Sequence, residues 1–278
     1  MKTQKKKRHD IIKKNKSRER FDPLKLKRSL IKSGLKKNEA LSVLNEISRE
    51  EEKLTSTRVI KRKAAAAIRK RSRYCAANYN LKKSIFKMGP AGYAFEVFIA
   101  EILKAKGYKT KVSVIKKGKF VKHEVDVVAT RKDKSLYCEC KFHHSSQVKN
   151  DIKLPLYINS RFLDIQAYKH QPEFSYAIFS NTKFSKDAIT YSKGVGINVY
   201  SMNYPPNNSF LDIIMRYKLY PVTVLRSLNR LEKRILLDFN IVTIRQLSRK
   251  KMEELRFDAS TINSCLKEVK SILTVCNN

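Results

Sequence analysis

The sequence predicts an α/β protein. A central domain with a mixed sheet, in the order α-β-β-β-α-β-α-β, is preceded by a hairpin-plus-helices module and followed by an all-α module. Three observations carry this reading. Between Gly89-Pro90 and Pro205-Pro206, short β-branched runs alternate with amphipathic segments. On either side of that stretch the apolar residues recur mainly at helical spacing. The two proline-containing dipeptides stand where the pattern changes. The expected modules are therefore residues 1–88, 89–205 and 206–278.

The elements follow in order. After the basic run 2–9, two extended stretches, 11–14 and 18–21, flank Asn15-Lys16-Ser17 and read as a hairpin. Asp22 can cap a helix whose first position is Pro23, where a missing N–H costs nothing, and Gly34 ends it. Helices are expected next over 38–50 and 57–71. In the central stretch, a helix over 93–106 places Phe95, Phe98, Ile99, Ile102 and Leu103 on one side and stops at Gly107. Strands are expected at 109–115, 120–129 and 135–142, separated by turns at Lys117-Gly118 and 131–134. A helix from Pro155 to about Tyr168, the apolar run 176–180, a helix between Ser185 and Gly194, and a strand at 197–201 complete the domain. Strand, helix, strand at that spacing implies a parallel pair. Beyond Pro206, helices are expected at 210–217, 221–238, 243–247, 249–255 and 260–273, and no internal repeat is visible.

Charge is the dominant global feature: 61 basic against 25 acidic residues give a formal net charge of +36. The excess is spread along the chain, with 26 basic against 8 acidic residues in 1–80, 22 against 10 in 81–205, and 13 against 7 in 206–278. Such a field attracts polyanions, and nucleic acid is the natural partner. The competing view is a lysine-rich, solvated surface without function. No run approaches the ~20 apolar residues that a membrane span needs, and no apolar segment follows the basic start. Five cysteines without a secretory signal argue for reduced thiols, so a cytoplasmic protein without membrane association is expected.

Two strands carry the chemistry. His123-Glu124-Val125-Asp126-Val127-Val128 lies in one and Cys138-Glu139-Cys140-Lys141 in the next. Side chains alternate across a strand, so Glu139 and Lys141 share one face and Cys138 and Cys140 the other. Asp126, flanked by valines, sits in a strand too apolar for a lone carboxylate. A divalent cation would satisfy it. One or two carboxylates holding Mg²⁺, with a lysine beside them, form a minimal set for hydrolysing a phosphodiester. A zinc site from Cys138, Cys140, His143 and His144 is the rival reading of this stretch.

At these residues the chain resembles the PD-(D/E)XK nuclease superfamily and, within it, the Mrr-like restriction endonucleases. The likeness runs through Gly92-Tyr93-Ala94-Phe95-Glu96, Glu124-Val125-Asp126-Val127-Val128, Glu139-Cys140-Lys141 and Phe179-Ser180-Asn181-Thr182-Lys183-Phe184. It implies a restriction-endonuclease-like core and a metal-dependent DNA endonuclease using Mg²⁺ or Mn²⁺. Asp126 and Glu139 would be metal ligands, Lys141 the water-activating residue and Glu96 an auxiliary acid. Glu96 also has a plainer reading, as a helix-start carboxylate favoured by the helix dipole. Two alternatives to a restriction-type enzyme stay open: a non-catalytic DNA-binding regulator on the same fold, and a structure-specific nuclease of the junction type.

The outer modules carry fainter likenesses. Ile12-Lys13-Lys14-Asn15, Arg20-Phe21-Asp22 and Ala77-Asn78-Tyr79-Asn80-Leu81 resemble the ATP-cone, which implies ATP or dATP held by Lys13 and Lys14. That family usually has Lys-Arg and a glycine in the hairpin, where this chain has Lys14 and Lys16. A basic module that only touches DNA is the alternative. Residues 236–247 resemble a helix-hairpin-helix turn, with Asn240 where glycine is usual; asparagine is the non-glycine residue that best tolerates the left-handed conformation. The competing reading of the C-terminal segment is a packing domain or homodimer interface.

Overall fold

The computed structural model describes residues 10–13, 16–50, 55–89, 92–132, 134–168 and 173–274. They fall into two compact units, one within residues 1–80 and 270–278 and the other within residues 81–269.

The first unit begins with the expected hairpin, β1 (Asp10–Ile12) antiparallel to β2 (Arg18–Arg20), with Ile11 opposite Glu19. Three helices follow, α1 (Pro23–Lys32), α2 (Lys37–Ser48) and α3 (Thr57–Arg71). The Asp22 carboxylate accepts from Leu24 N at 2.9 Å and Lys25 N at 3.2 Å, satisfying two of the N–H groups that a helix start leaves open. Gly34 leaves α1 at φ +99°, a conformation a Cβ would strain. The core is Ile11, Phe21, Leu30, Val43, Ile47, Ala64 and Ile68. A further helix, α4 (Arg73–Ile85), was not expected; only Ser72 separates it from α3.

The second unit holds the expected order. Helix α5 (Tyr93–Ala105) leads into β3 (Lys109–Lys117), β4 (Lys122–Arg131) and β5 (Lys134–Lys141). Two short strands, β6 (Lys149–Asn150) and β8 (Lys183–Phe184), form a small parallel pair that the sequence did not suggest. Between and after them come α6 (Lys153–Gln166), β7 (Phe174–Ser180), α7 (Lys186–Gly194) and β9 (Ile197–Tyr200). The main sheet runs β3-β4-β5-β7-β9, antiparallel through β5 and parallel from β5 to β7 to β9.

Alternation sorts the two faces. Tyr137, Phe174, Tyr176, Ile178, Ile197 and Val199 pack with Ile158, Phe162 and Ile165 of α6 and Ala188 of α7. Phe162 stacks on Tyr176 at 4.2 Å and Tyr137 on Phe174 at 4.1 Å. Phe179 points the other way, toward Phe210 of α8 (Phe210–Tyr217), whose ring also meets Phe95 and Phe98 of α5. Helices thus cover both faces, as a sheet with parallel strands requires.

The C-terminal helices correct the sequence reading. Residues 221–238 are not one helix. Val222–Val224 form a 3-10 turn and α9 spans Arg230–Asp238, starting at an Asn229 cap paired with Glu232. Val222 N donates to Val242 O, and Pro221 bridges Thr243, so tertiary pairing claims the β-branched run that periodicity had assigned to a helix. Ile244–Gln246 is likewise a 3-10 turn, followed by α10 (Arg249–Glu254) and α11 (Ala259–Leu273). The two stretches repeat one plan: 3-10 turn, capped helix, left-handed exit. That repeat was invisible in the residues.

Asn240 does take the left-handed conformation, φ +59°, and so do Lys218 (+52°) and Arg256 (+60°). At each exit the following residue's N–H returns to a carbonyl five positions back: Leu219 to Ile214, Ile241 to Leu236, and Phe257 to Met252. These are helix ends of the Schellman type, closed here without glycine. Among the described residues no helix is long and apolar enough to cross a membrane.

Candidate active site

The site grows from the place where β4 and β5 part. Their backbone ladder runs from Arg131↔Lys134 to Val127↔Cys138 and stops there. One residue further, the Asp126 carboxylate accepts the N–H of Cys140 at 2.7 Å. A side chain has taken the place of a backbone acceptor, and the carboxylate is tied to the strand that bears Glu139 and Lys141. As expected from alternation, Cys138 and Cys140 are buried while Lys141 is exposed.

Glu139 makes a contact the sequence did not reveal. Arg161 of α6 donates to Glu139 Oε2 at 2.7 Å, to the backbone oxygen of Glu124 at 3.0 Å and to the Tyr157 hydroxyl at 3.0 Å. Both charged side chains are largely shielded, 12% and 13% exposed. Their pairing arises from α6 crossing the sheet, a packing event with no local signature.

Glu96 enters from the first turn of α5 and feels Asp126, Glu124 and Glu139. Burial first, and then those three negative charges, push its pKa up to about 7, against a smaller pull from the Ser113 hydroxyl. Burial raises Asp126 as well, opposed by the Cys140 N–H and by Arg161. Glu139 is raised by burial and by Asp126, opposed by Arg161. The structure therefore brings Glu96, Asp126 and Glu139 into one electrostatic neighbourhood and adds Glu124 to it. Ser113 lies in β3 between Val112↔Val127 and Val114↔Val125, at φ +52°. A serine held left-handed inside a strand is strained, and the strain sits beside the carboxylates.

Lys141, at the end of β5, is positioned through the residues just after it. That segment is clamped to the end of β7: His143 N donates to Asn181 Oδ1 at 2.8 Å, and Asn181 Nδ2 returns to His143 O at 2.7 Å. Asn150, buried, reaches His143 Nε2, Ser180, Thr182 and the Lys183 carbonyl. The polar run from Ser180 to Lys183, to which the sequence alone assigns no task, thus fixes the end of β5.

The zinc reading does not hold. Both thiols are sealed in the core, with burial raising their pKa, and His143 is engaged by Asn150. Among the described residues no three His, Cys, Asp or Glu side chains are gathered into a metal-binding group. In the first unit, Lys13 is ion-paired with Glu19, and Lys14 lies outside the described residues.

Comparison with known proteins finds relatives of two parts of this chain. The restriction endonuclease family of Mrr catalytic domains matches residues 89–203, and the AF1548-like C-terminal family matches residues 220–273. An uncharacterized protein of Archaeoglobus fulgidus is 31% identical over 181 residues, covering 63% of this chain and 99% of that protein. A crystal structure of AF1548, a protein of unknown function, superposes with a TM-score of 0.56 at 30% identity, covering 66% of this chain and 98% of that one. With a restriction-endonuclease-type domain followed by an AF1548-like C-terminal domain, this chain belongs to the family of that Archaeoglobus protein.

Proposed function

We propose that this protein is a metal-dependent endodeoxyribonuclease in which Asp126 and Glu139 hold Mg²⁺ or Mn²⁺, Lys141 activates the attacking water, and Glu96 is an auxiliary acid. The observation that carries the reading is the fork of β4 and β5, which gathers part-buried carboxylates whose charges repel one another. An all-oxygen set suits a hard cation, and Mg²⁺ commonly takes only one or two carboxylates, completing its shell with water and substrate phosphate. Two protein ligands are therefore enough. The bound ion would polarise the phosphate and lower the pKa of a water.

The chain's own residues do the rest. The Cys140 N–H orients the Asp126 carboxylate, and Lys141, exposed at the end of β5, can reach the water and stabilise charge on the phosphate. The basic excess in every part of the chain supports DNA as substrate. In this reading residues 1–88 form a basic, ATP-cone-like module, 89–205 the nuclease and 206–278 a DNA-contacting module.

The test is cleavage of supercoiled plasmid with Mg²⁺ or Mn²⁺ by the full chain and by Asp126→Asn, Glu139→Gln and Lys141→Met. Each variant should lose cutting while keeping the wild-type circular dichroism. Undiminished cutting by Asp126→Asn refutes the assignment. Duplex, methylated, single-stranded and branched DNA in parallel separate a restriction-type from a junction-type substrate.

A further inference from the structure

The tip of the β3–β4 hairpin presents an anomaly. Phe120 is 78% exposed, Val121 58% and Ile115 59%. Single exposed apolar residues are ordinary, but Phe120 and Val121, consecutive at one turn and both this exposed, are not. The tip is also held firmly. Asp164 of α6 accepts from Phe120 N at 3.0 Å and Val121 N at 3.4 Å, its own carbonyl takes Lys119 N at 2.9 Å, and its Oδ2 lies 2.7 Å from His123 Nε2. Gly118 N closes the turn on Val121 O at 2.8 Å. A Cβ at Gly118 would fall 2.0 Å from Asp164 Oδ2, so only glycine permits this contact. The phenyl ring therefore stands in water on a fixed support, and little further ordering is needed when it meets a partner.

Charge identifies the partner. Residues 116–123 include Lys116, Lys117, Lys119 and Lys122 and no acidic residue, and Lys119 Nζ sits 5.2 Å from the centre of the Phe120 ring. An aromatic ring framed by lysines suits the stacked bases and flanking phosphates of nucleic acid, and does not suit an apolar protein surface. The placement agrees. Arg161, which holds Glu139, and Asp164, which holds the tip, are one turn apart on α6. Phe120 stands in the turn two residues before β4, and Asp126 is four residues into that strand, so the six residues span at most roughly 20 Å, at ~3.3 Å per residue, or about six base pairs at ~3.4 Å each.

Resting on the nuclease reading above, we propose that this hairpin is a DNA wedge: Phe120 inserts at a base step within about half a helical turn of the cleaved phosphate, and Lys117, Lys119 and Lys122 hold the phosphates on either side.

The chain contains no tryptophan, so Phe120→Trp supplies a single reporter. The experiment uses the full chain in EDTA, where DNA stays intact, and mixed-sequence duplexes containing 2-aminopurine. Wild type should raise 2-aminopurine fluorescence on binding. Phe120→Ala should bind roughly ten-fold more weakly, in line with loss of one base–aromatic stack, and should give no rise. Phe120→Trp should bind like wild type, with its emission quenched by DNA. Three results overturn the proposal and are distinguishable. Equal affinity and equal fluorescence for Phe120→Ala, with DNA bound, remove the wedge and leave the nuclease reading standing. No DNA binding by wild type, in EDTA or with Mg²⁺ present, removes both. A lower solution mass for Phe120→Ala than for wild type makes the hairpin an interface between copies of the chain.

Discussion

Glu96 offers a test in which the two readings of one residue differ in sign. Its carboxyl is raised from 4.5 to about 7 by burial and by three neighbouring carboxylates. A folded-state pKa above the unfolded value means that the folded protein holds the proton more tightly, so stability present below pH ~4.5 is lost as pH rises toward 7. At ~1.4 kcal/mol per unit, the full shift corresponds to about 3 kcal/mol at pH 8, an upper bound because the side chain is not fully buried. Glu96→Gln cannot ionise. It should match wild type at pH 4.5 and exceed it at pH 8 by about 1–3 kcal/mol, or several degrees in Tm for a unit of this size. Urea unfolding in EDTA at steps between pH 4.5 and 8 measures this, and added Mn²⁺ should shrink the difference by neutralising the cluster. If Glu96 were only a dipole-favoured carboxylate, the variant would be less stable than wild type at pH 8 by about 0.3–1 kcal/mol. That outcome, or identical pH profiles, refutes the electrostatic account.

Three further outcomes are expected. Arg161→Met removes the counterion of Glu139 and should cost up to about 3 kcal/mol in EDTA, a loss that millimolar Mn²⁺ restores in thermal unfolding; equal destabilisation with and without metal would separate Arg161 from the metal site. DNA affinity should fall by about 10³-fold or more between 50 and 200 mM salt if six or more phosphates are engaged, and a flat response in a filter-binding titration would reduce the lysines to composition. For the first unit, any heat of ATP or dATP binding should grow in Glu19→Gln, because Glu19 is paired with Lys13; calorimetry that gives no heat with either protein leaves a structural module.

The parts of the fold set by local chemistry were legible. Asp22-Pro23 and Ser185 announced helix starts because a side-chain oxygen beside open N–H groups is a local event. Alternation alone separated Glu139 and Lys141 from Cys138 and Cys140. Features that depend on distant chain were not legible. Val222–Val224 reads as helix until Val242 pairs with it. Arg161 is an unremarkable helix arginine until α6 lies over the sheet. Ser113 gives no sign of its left-handed backbone. One local signal does stand in the residues against a helix over 221–238: Asn229 and Glu232 form a capping box that marks the true start of α9.

The left-handed exits at Lys218, Asn240 and Arg256 have a consequence for engineering. A residue with a Cβ pays ~1–2 kcal/mol in that conformation, and glycine gives back part of the gain through the freedom it has when unfolded. Lys218→Gly and Arg256→Gly should each therefore add about 0.5–1 kcal/mol to the helical end of the chain, at positions remote in sequence from β4 and β5. Each would also remove one cation. A hardened variant built this way would trade electrostatic reach for heat resistance, and its DNA affinity would register how much those two charges matter.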